Sequence, residues 1–196
     1  MPIINQITAR WILDSRGNPT VSCKLGIQHK DNLYFGKASV PSGASTGKYE
    51  AVELRDGDKA FGGKGVDKAV DNILNVIAKA IIGVEFSSAK DVDIFVLNLE
   101  KELESQHPAN LIQPKSVLGA NAILGVSMAA HRAYAKANNM KLWEYLRQEY
   151  FADLGNSVTM PRLMCNIFNG GAHADNNIDI QEFMVRSEER RVGKEC

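Results

Sequence analysis

The sequence predicts an α+β fold: a three-stranded antiparallel meander covered by helices, then a second unit that opens with strand, loop and strand. Three observations predict it. Residues 3–40 alternate apolar and polar positions between clusters of turn formers. Residues 66–154 repeat apolar positions at helical spacing. Strand texture then returns over residues 158–168, followed by a polar, glycine-containing loop and a second apolar run.

The elements justify themselves in order. Residues 3–13 mix apolar and polar positions as a strand does, and Asp14, Gly17, Asn18 and Pro19 make the next stretch a turn. Residues 20–27 place Val21, Cys23 and Leu25 on one face and Ser22 and Lys24 on the other. A third strand is expected over residues 33–40, then a Gly/Ser loop over residues 41–48. Val66, Val70, Ile73, Ile77 and Ile81 fit one helix, and Val92, Val96, Leu99 and Leu103 another. Residues 116–138 carry the strongest helical stripe: Ala120, Ile123, Leu124, Ser127, Met128, His131 and Ala135. A further amphipathic stretch covers residues 142–154. The first domain is assigned to residues 1–140 and the start of a second to 141–185. In that second part, residues 162–167 and 178–185 read as two buried strands. They could open a barrel or an open sheet, and periodicity does not choose.

Composition bounds the function. The 196 residues allow one domain or one and a half. Twenty-three basic and 23 acidic residues cancel, which removes the electrostatic case for a nucleic-acid or anionic-membrane partner. No uncharged apolar run approaches the ~18 residues of a membrane span. Cys23, Cys165 and Cys196 are scattered, which argues against a zinc site or a disulfide framework and fits a reducing cytosol. The opening residues lack the basic and apolar regions of a signal peptide.

A few segments could carry chemistry. The loop from Pro41 to Lys48 holds Ser42, Gly43, Ala44, Ser45, Thr46 and Gly47. Its glycines allow close backbone approach, and its hydroxyls suit an oxyanion or a hard cation. It is one residue short of a P-loop, and Tyr49 stands where a metal-binding hydroxyl would be needed, so a nucleotide site is rejected. His173 follows a Gly-Gly turn, which would present it on a loop. Glu182 interrupts an apolar set formed by Ile178, Ile180, Phe183 and Met184. A carboxylate there is costly to bury unless paired, liganded or at a strand end. At the C-terminal end of a barrel strand it would face the mouth. The Asp14–Pro19 segment reads most simply as a turn whose Asp14 and Arg16 pair. Residues 53–58 read as a charged helix end with a glycine stop, and Glu100 and Glu104 as a solvated helix face.

Together these segments resemble the enolase (phosphopyruvate hydratase) family. The matching stretches are DSRGNPTV from Asp14, VPSGASTG from Val40, ELRDGD from Glu53, GANAILGVSMA from Gly119 and NGGAHADNNIDIQEFM from Asn169. Five matches in family order are specific, and the last has a bacterial form. The resemblance implies an N-terminal domain of three strands and four helices, then the opening strands of a (β/α)8 barrel, incomplete here. It implies reversible dehydration of 2-phosphoglycerate to phosphoenolpyruvate with Mg2+ as cofactor, in a carbon–oxygen lyase of glycolysis. A proton next to a carboxylate is very weakly acidic, so concentrated positive charge must stabilise the ion formed.

Carried over residue by residue, Ser45 matches a Mg2+ ligand, within a lid loop of Ser42, Gly43, Ala44, Thr46 and Gly47. His173, Gln181 and Glu182 match residues lining the substrate pocket, Glu182 with a catalytic role. Arg16 matches a region near the family's dimer contact. The resemblance implies a homodimer or higher homo-oligomer for the full-length protein, in the cytoplasm, with bacterial members also found at the cell surface or secreted. The family's lysine base and principal metal ligands have no position in this sequence, so this chain by itself is expected to be inactive. The alternative is a non-enzymatic fragment acting as an interaction module. Two barrel strands without neighbours would then leave Ile178, Ile180 and Phe183 exposed. Residues 186–196, seven of them charged, resemble a translated sequencing adaptor and are set aside from fold reasoning.

Overall fold

The computed structural model describes residues 1–43, 47, 49–106, 114–154 and 158–186. It divides into two compact units, Met1–Asp153 and Leu154–Cys196.

The first unit is built on strands β1 (Ile3–Leu13), β2 (Pro19–His29) and β3 (Asn32–Ser39), paired antiparallel in that order. Tight connections make this the simplest arrangement. The first turn is set by Asp14, whose carboxylate accepts the backbone N–H groups of Arg16 and Asn18, both at 2.8 Å. The expected Asp14–Arg16 side-chain pair is therefore replaced by an Asx-type turn. The N–H of Asn18, chief among these contacts, holds the Asp14 carboxyl below its ordinary range.

Alternation buries Val21, Cys23, Leu25 and Ile27 of β2 on one sheet face. Across that face lies α4 (Ala120–Ala137), the helix with the strongest sequence stripe. Its contact side is small: Ala122, Ala129 and Ala133 are fully buried, and Gly125 sits against Val21, Cys23 and Val40. Small residues let the helix approach the strands closely. Burial pushes the Cys23 thiol up to about 12, which leaves it an inert core residue.

Helix α1 (Asp67–Asp71) runs through a π-helical segment, Asn72–Ile77, into α2 (Ala78–Ile81). Ala69, Ile73, Ile77 and Ile81 are its fully buried positions, the three isoleucines as their spacing predicts. Helix α3 (Ala89–Ser105) begins with a capping box: Ser88 Oγ accepts the Asp91 N–H at 3.3 Å, and the Asp91 carboxylate accepts the Ser88 N–H at 3.1 Å. Helix α5 (Leu142–Tyr150) follows α4.

Two further sequence expectations are corrected in this unit. Glu100 is not solvated but 2% exposed. Its carboxylate accepts the N–H groups of Val117 and Leu118 at 3.1 and 2.8 Å, while Glu104 accepts that of Lys115 at 3.0 Å. The turn leading into α4 has no ladder partner for those donors, so α3 supplies one. Residues 53–58 do not end a helix. They form an irregular segment in which Gly57 has a φ of +71°, a left-handed conformation that favours glycine.

The second unit contains β4 (Met164–Asn169) and β5 (Glu182–Arg186), joined antiparallel by residues 170–181. The expected buried strands are instead exposed: Phe168 is 62%, Phe183 41% and Met184 50% accessible. A two-stranded ribbon with no further layer cannot bury either face. Strand β5 also starts later than the expected residue 178, so Glu182 is its first residue rather than near its end. Residues 178–181 turn back onto the Gly-Gly segment, where the Ile178 and Gln181 carbonyls accept the Gly171 and Gly170 N–H groups instead of joining a ladder.

Candidate functional site

In the first unit, three of the sequence motifs meet at Arg55. Its Nη1 donates to the Pro19 and Lys64 carbonyls at 2.6 and 2.7 Å. Its Nη2 donates to Ser42 Oγ at 3.2 Å and to Glu53 Oε1 at 2.7 Å. Ser42 in turn donates to Glu53 Oε2 at 3.0 Å. One guanidinium thus ties the turn after β1 to the start of the Pro41 loop, a use suited to its fixed fork of donors. Next to it, Asn121 at the head of α4 accepts the Leu54 N–H at 3.1 Å and donates to the Leu54 carbonyl at 3.0 Å. Asp56 accepts the N–H groups of Asp67 and Lys68 at the start of α1.

Of the predicted loop residues, Ser42 has the contacts just given. The N–H of Gly47 donates to Glu50 Oε2 at 2.8 Å, and Gly43 is exposed. Ala44, Ser45 and Thr46 lie outside the described residues. Sequence reasoning missed Arg55 and Asn121 as organising residues. The available signal was a basic residue between Glu53 and Asp56 in a segment without helical periodicity.

In the second unit, three predicted residues come together. His173 lies in a short 3-10 turn, Gly171–His173. Its Nδ1 is 3.2 Å from Glu182 Oε1, and its Nε2 is 2.7 Å from Gln181 Nε2. An ionised carboxylate only accepts, so Nδ1 carries the proton toward Glu182. The Gln181 amide then donates to Nε2, which describes a neutral imidazole held from both sides. The hydrogen positions follow from this network.

Backbone bonds carry the loop that presents His173. Gly170 N–H donates to the Gln181 carbonyl at 3.0 Å, and Gly171 N–H to the Ile178 carbonyl at 2.7 Å. Asn176 adds a side-chain bond to the Asn169 carbonyl at 2.9 Å. A Cβ on Gly170 would strike the Ile178 and Ile180 carbonyl oxygens, the latter at 2.5 Å. Gly170→Ala is therefore expected to pry the loop open. Amide exchange at residues 170 and 171 should accelerate by about tenfold or more. Unchanged exchange would show that the loop absorbs the methyl.

Among the described residues, no group of three or more His, Cys, Asp or Glu side chains could hold a metal ion. His173 and Glu182 contribute two, fewer than the several oxygens Mg2+ requires. The described residues therefore do not fit Mg2+ as they stand.

The family model described as enolase, N-terminal domain, matches residues 4–146. The chain belongs to the enolase family. A second model, enolase, C-terminal TIM barrel domain, matches residues 157–195, reaching through the charged stretch that composition sets apart. The enolase of Mycobacteroides abscessus is 48% identical over 185 residues, covering 94% of this chain and 39% of that protein. The chain thus spans about two-fifths of that enolase's length. The three-stranded sheet with its helices is the enolase N-terminal domain, and the β4–β5 pair falls in the short portion matched to the enolase barrel.

Proposed function

We propose that this sequence supplies the N-terminal domain and first barrel strands of an enzyme that interconverts 2-phosphoglycerate and phosphoenolpyruvate. The observation that carries the reading is the convergence of Gln181 and Glu182 on His173 beside a loop only glycine can form. In this reading His173 and Gln181 orient the substrate. Glu182 and His173 hold one proton across their 3.2 Å contact, available for a departing hydroxyl. Ser42, fixed by Glu53 and Arg55, anchors the loop that would cover the substrate. Mg2+ belongs to the longer protein in this proposal, and no step is assigned to it here. A cytoplasmic homo-oligomer of the full-length enzyme is part of the same reading.

Dehydration of 2-phosphoglycerate tests it. The chain by itself should show no turnover with or without Mg2+. Fused to the remaining barrel of the mycobacterial relative, it should become active. Glu182→Gln in that fusion should lower kcat by roughly 10²–10⁴-fold with a smaller change in KM. Turnover by the chain alone would refute the assigned division of labour, and an unaltered kcat would remove Glu182 from the chemistry. The exposed apolar ribbon favours one second reading, an interaction module: Ile178, Ile180 and Phe183 are 37%, 57% and 41% accessible.

A further inference from the structure

The first unit contains a buried titratable cluster that the proposed reaction does not use. His131 on α4 is 6% exposed. Its Nδ1 lies 2.9 Å from the Ser127 carbonyl, which can only accept, so Nδ1 carries a proton. Its Nε2 lies 2.8 Å from the Tyr150 hydroxyl of α5, and the two rings stack at 5.6 Å. That hydroxyl is also 3.4 Å from Asp93 Oδ2 of α3, and Asp93 Oδ2 is itself 3.9 Å from His131 Nε2. Three helices meet through three side chains.

The hydroxyl has one hydrogen and two claimants. With His131 neutral, Nε2 has a lone pair and takes the Tyr150 hydrogen. Asp93 then faces an oxygen that gives it nothing. With His131 protonated, Nε2–H donates to the Tyr150 oxygen, and the hydroxyl turns to donate to Asp93. Every polar group is then used, and imidazolium and carboxylate lie at opposite ends of a closed chain. A complete network holds its elements better than a broken one.

We propose that His131, Tyr150 and Asp93 form a proton-operated latch that fastens α5 to α3 and α4 when His131 is protonated and slackens when it is neutral. Other groups bear on it. Ser127 on α4 favours the charged form of Asp93. On α3, Lys90 sits 5.5 Å from the Tyr150 ring centre. On α5, Tyr145 packs edge-on to His131 at 6.1 Å, and Glu149 acts on both tyrosines. Burial raises the Asp93 carboxyl above its ordinary value, and this bounds the latch from below. Once Asp93 is protonated, the ionic end of the chain is lost. The closed state thus needs Asp93 ionised and His131 protonated at the same time. The latch accordingly slackens when rising pH removes the His131 proton. Helix α5 is the last α-helix before the second unit begins at Leu154, so the device controls how firmly that end of the first unit is held.

The test uses this chain. The His131 ring is followed by NMR through a pH titration in wild type, Asp93→Asn and Tyr150→Phe. Both variants should lower the His131 midpoint, Asp93→Asn by about one unit, a tenfold loss of proton affinity. The ring signals of His29 and His173 report whether the variants stay folded. Tyr150 is 39% exposed and loses only an oxygen, so its variant keeps the core intact. Amide protection of α5, corrected for intrinsic exchange, should fall about tenfold between roughly pH 6 and 8.5 in wild type and stay level in Tyr150→Phe. A His131 midpoint unmoved by either variant, or α5 protection in wild type that is equal at both pH values, overturns the latch.

Discussion

Gly36→Ala is expected to abolish the cooperative fold of the first unit or to force α4 off the sheet. Gly36 lies in β3 opposite Leu25, on the face that α4 covers. A Cβ built there overlaps the Ala129 carbonyl oxygen outright and lies 2.6 Å from the Ala133 backbone nitrogen. Both are helix backbone, so no rotamer change relieves the clash. The whole helix would have to withdraw from a layer packed at crystal-like density. Overpacking in such cores typically costs 1–3 kcal/mol, and a backbone obstacle puts this site at about 3 kcal/mol or more. That is a large share of the 5–15 kcal/mol of a typical domain. Gly125→Ala is the matched control. Its added Cβ meets only side chains, at 3.4–3.5 Å, and a helical alanine gains about 1 kcal/mol over glycine. Thermal unfolding followed by circular dichroism should therefore lose its sharp transition in Gly36→Ala and keep it in Gly125→Ala. Equal melting of the two would mean that the helix-to-sheet spacing is soft.

The second large effect is expected at Glu100. Removing its carboxylate by Glu100→Ala strands the N–H groups of Val117 and Leu118 in a buried turn. Each unsatisfied donor costs roughly 1–3 kcal/mol, so the total is about 2–6 kcal/mol. The carbonyls of the same two residues are held by Asn72 Nδ2, both at 2.9 Å, so no slack remains for the turn to re-pair its donors. Burial raises the Glu100 carboxyl above its ordinary value, with the Leu118 and Val117 N–H bonds opposing. The sign follows: the folded state holds this proton more tightly than the unfolded state, so the contribution is greatest below the usual carboxylate range. It declines as pH rises through the folded value. Urea unfolding of wild type and Glu100→Ala should show a gap that narrows from acid toward neutral pH. A gap below about 1 kcal/mol at every pH would refute the role given to Glu100.

Some of this was legible in the chain. The strands of the meander follow from alternation around Val21, Cys23 and Leu25. The helices follow from the spacing of Ile73, Ile77 and Ile81 and from the small-residue stripe of α4. Glu182 stood out because a carboxylate in an apolar run requires a reason, and His173 because it follows a Gly-Gly turn, whereas Gln181 was named only through the family resemblance. Arg55, Asn121 and Glu100 were not legible in their roles. Each acts on backbone groups far away in sequence, as when Asn121 binds Leu54. A hydrogen-bond deficit in one segment leaves no mark on the residue that fills it. His131 counted only as one position of a stripe, because its partners Asp93 and Tyr150 lie on other helices.

Family membership and the order of the main elements were therefore determined by the sequence itself, because periodicity and short motifs are local properties. Tertiary structure alone decided which carboxylate is buried, which glycine cannot change and which way a shared proton points. Those outcomes depend on distances between segments dozens of residues apart, and a strand or helix pattern carries no information about what faces it.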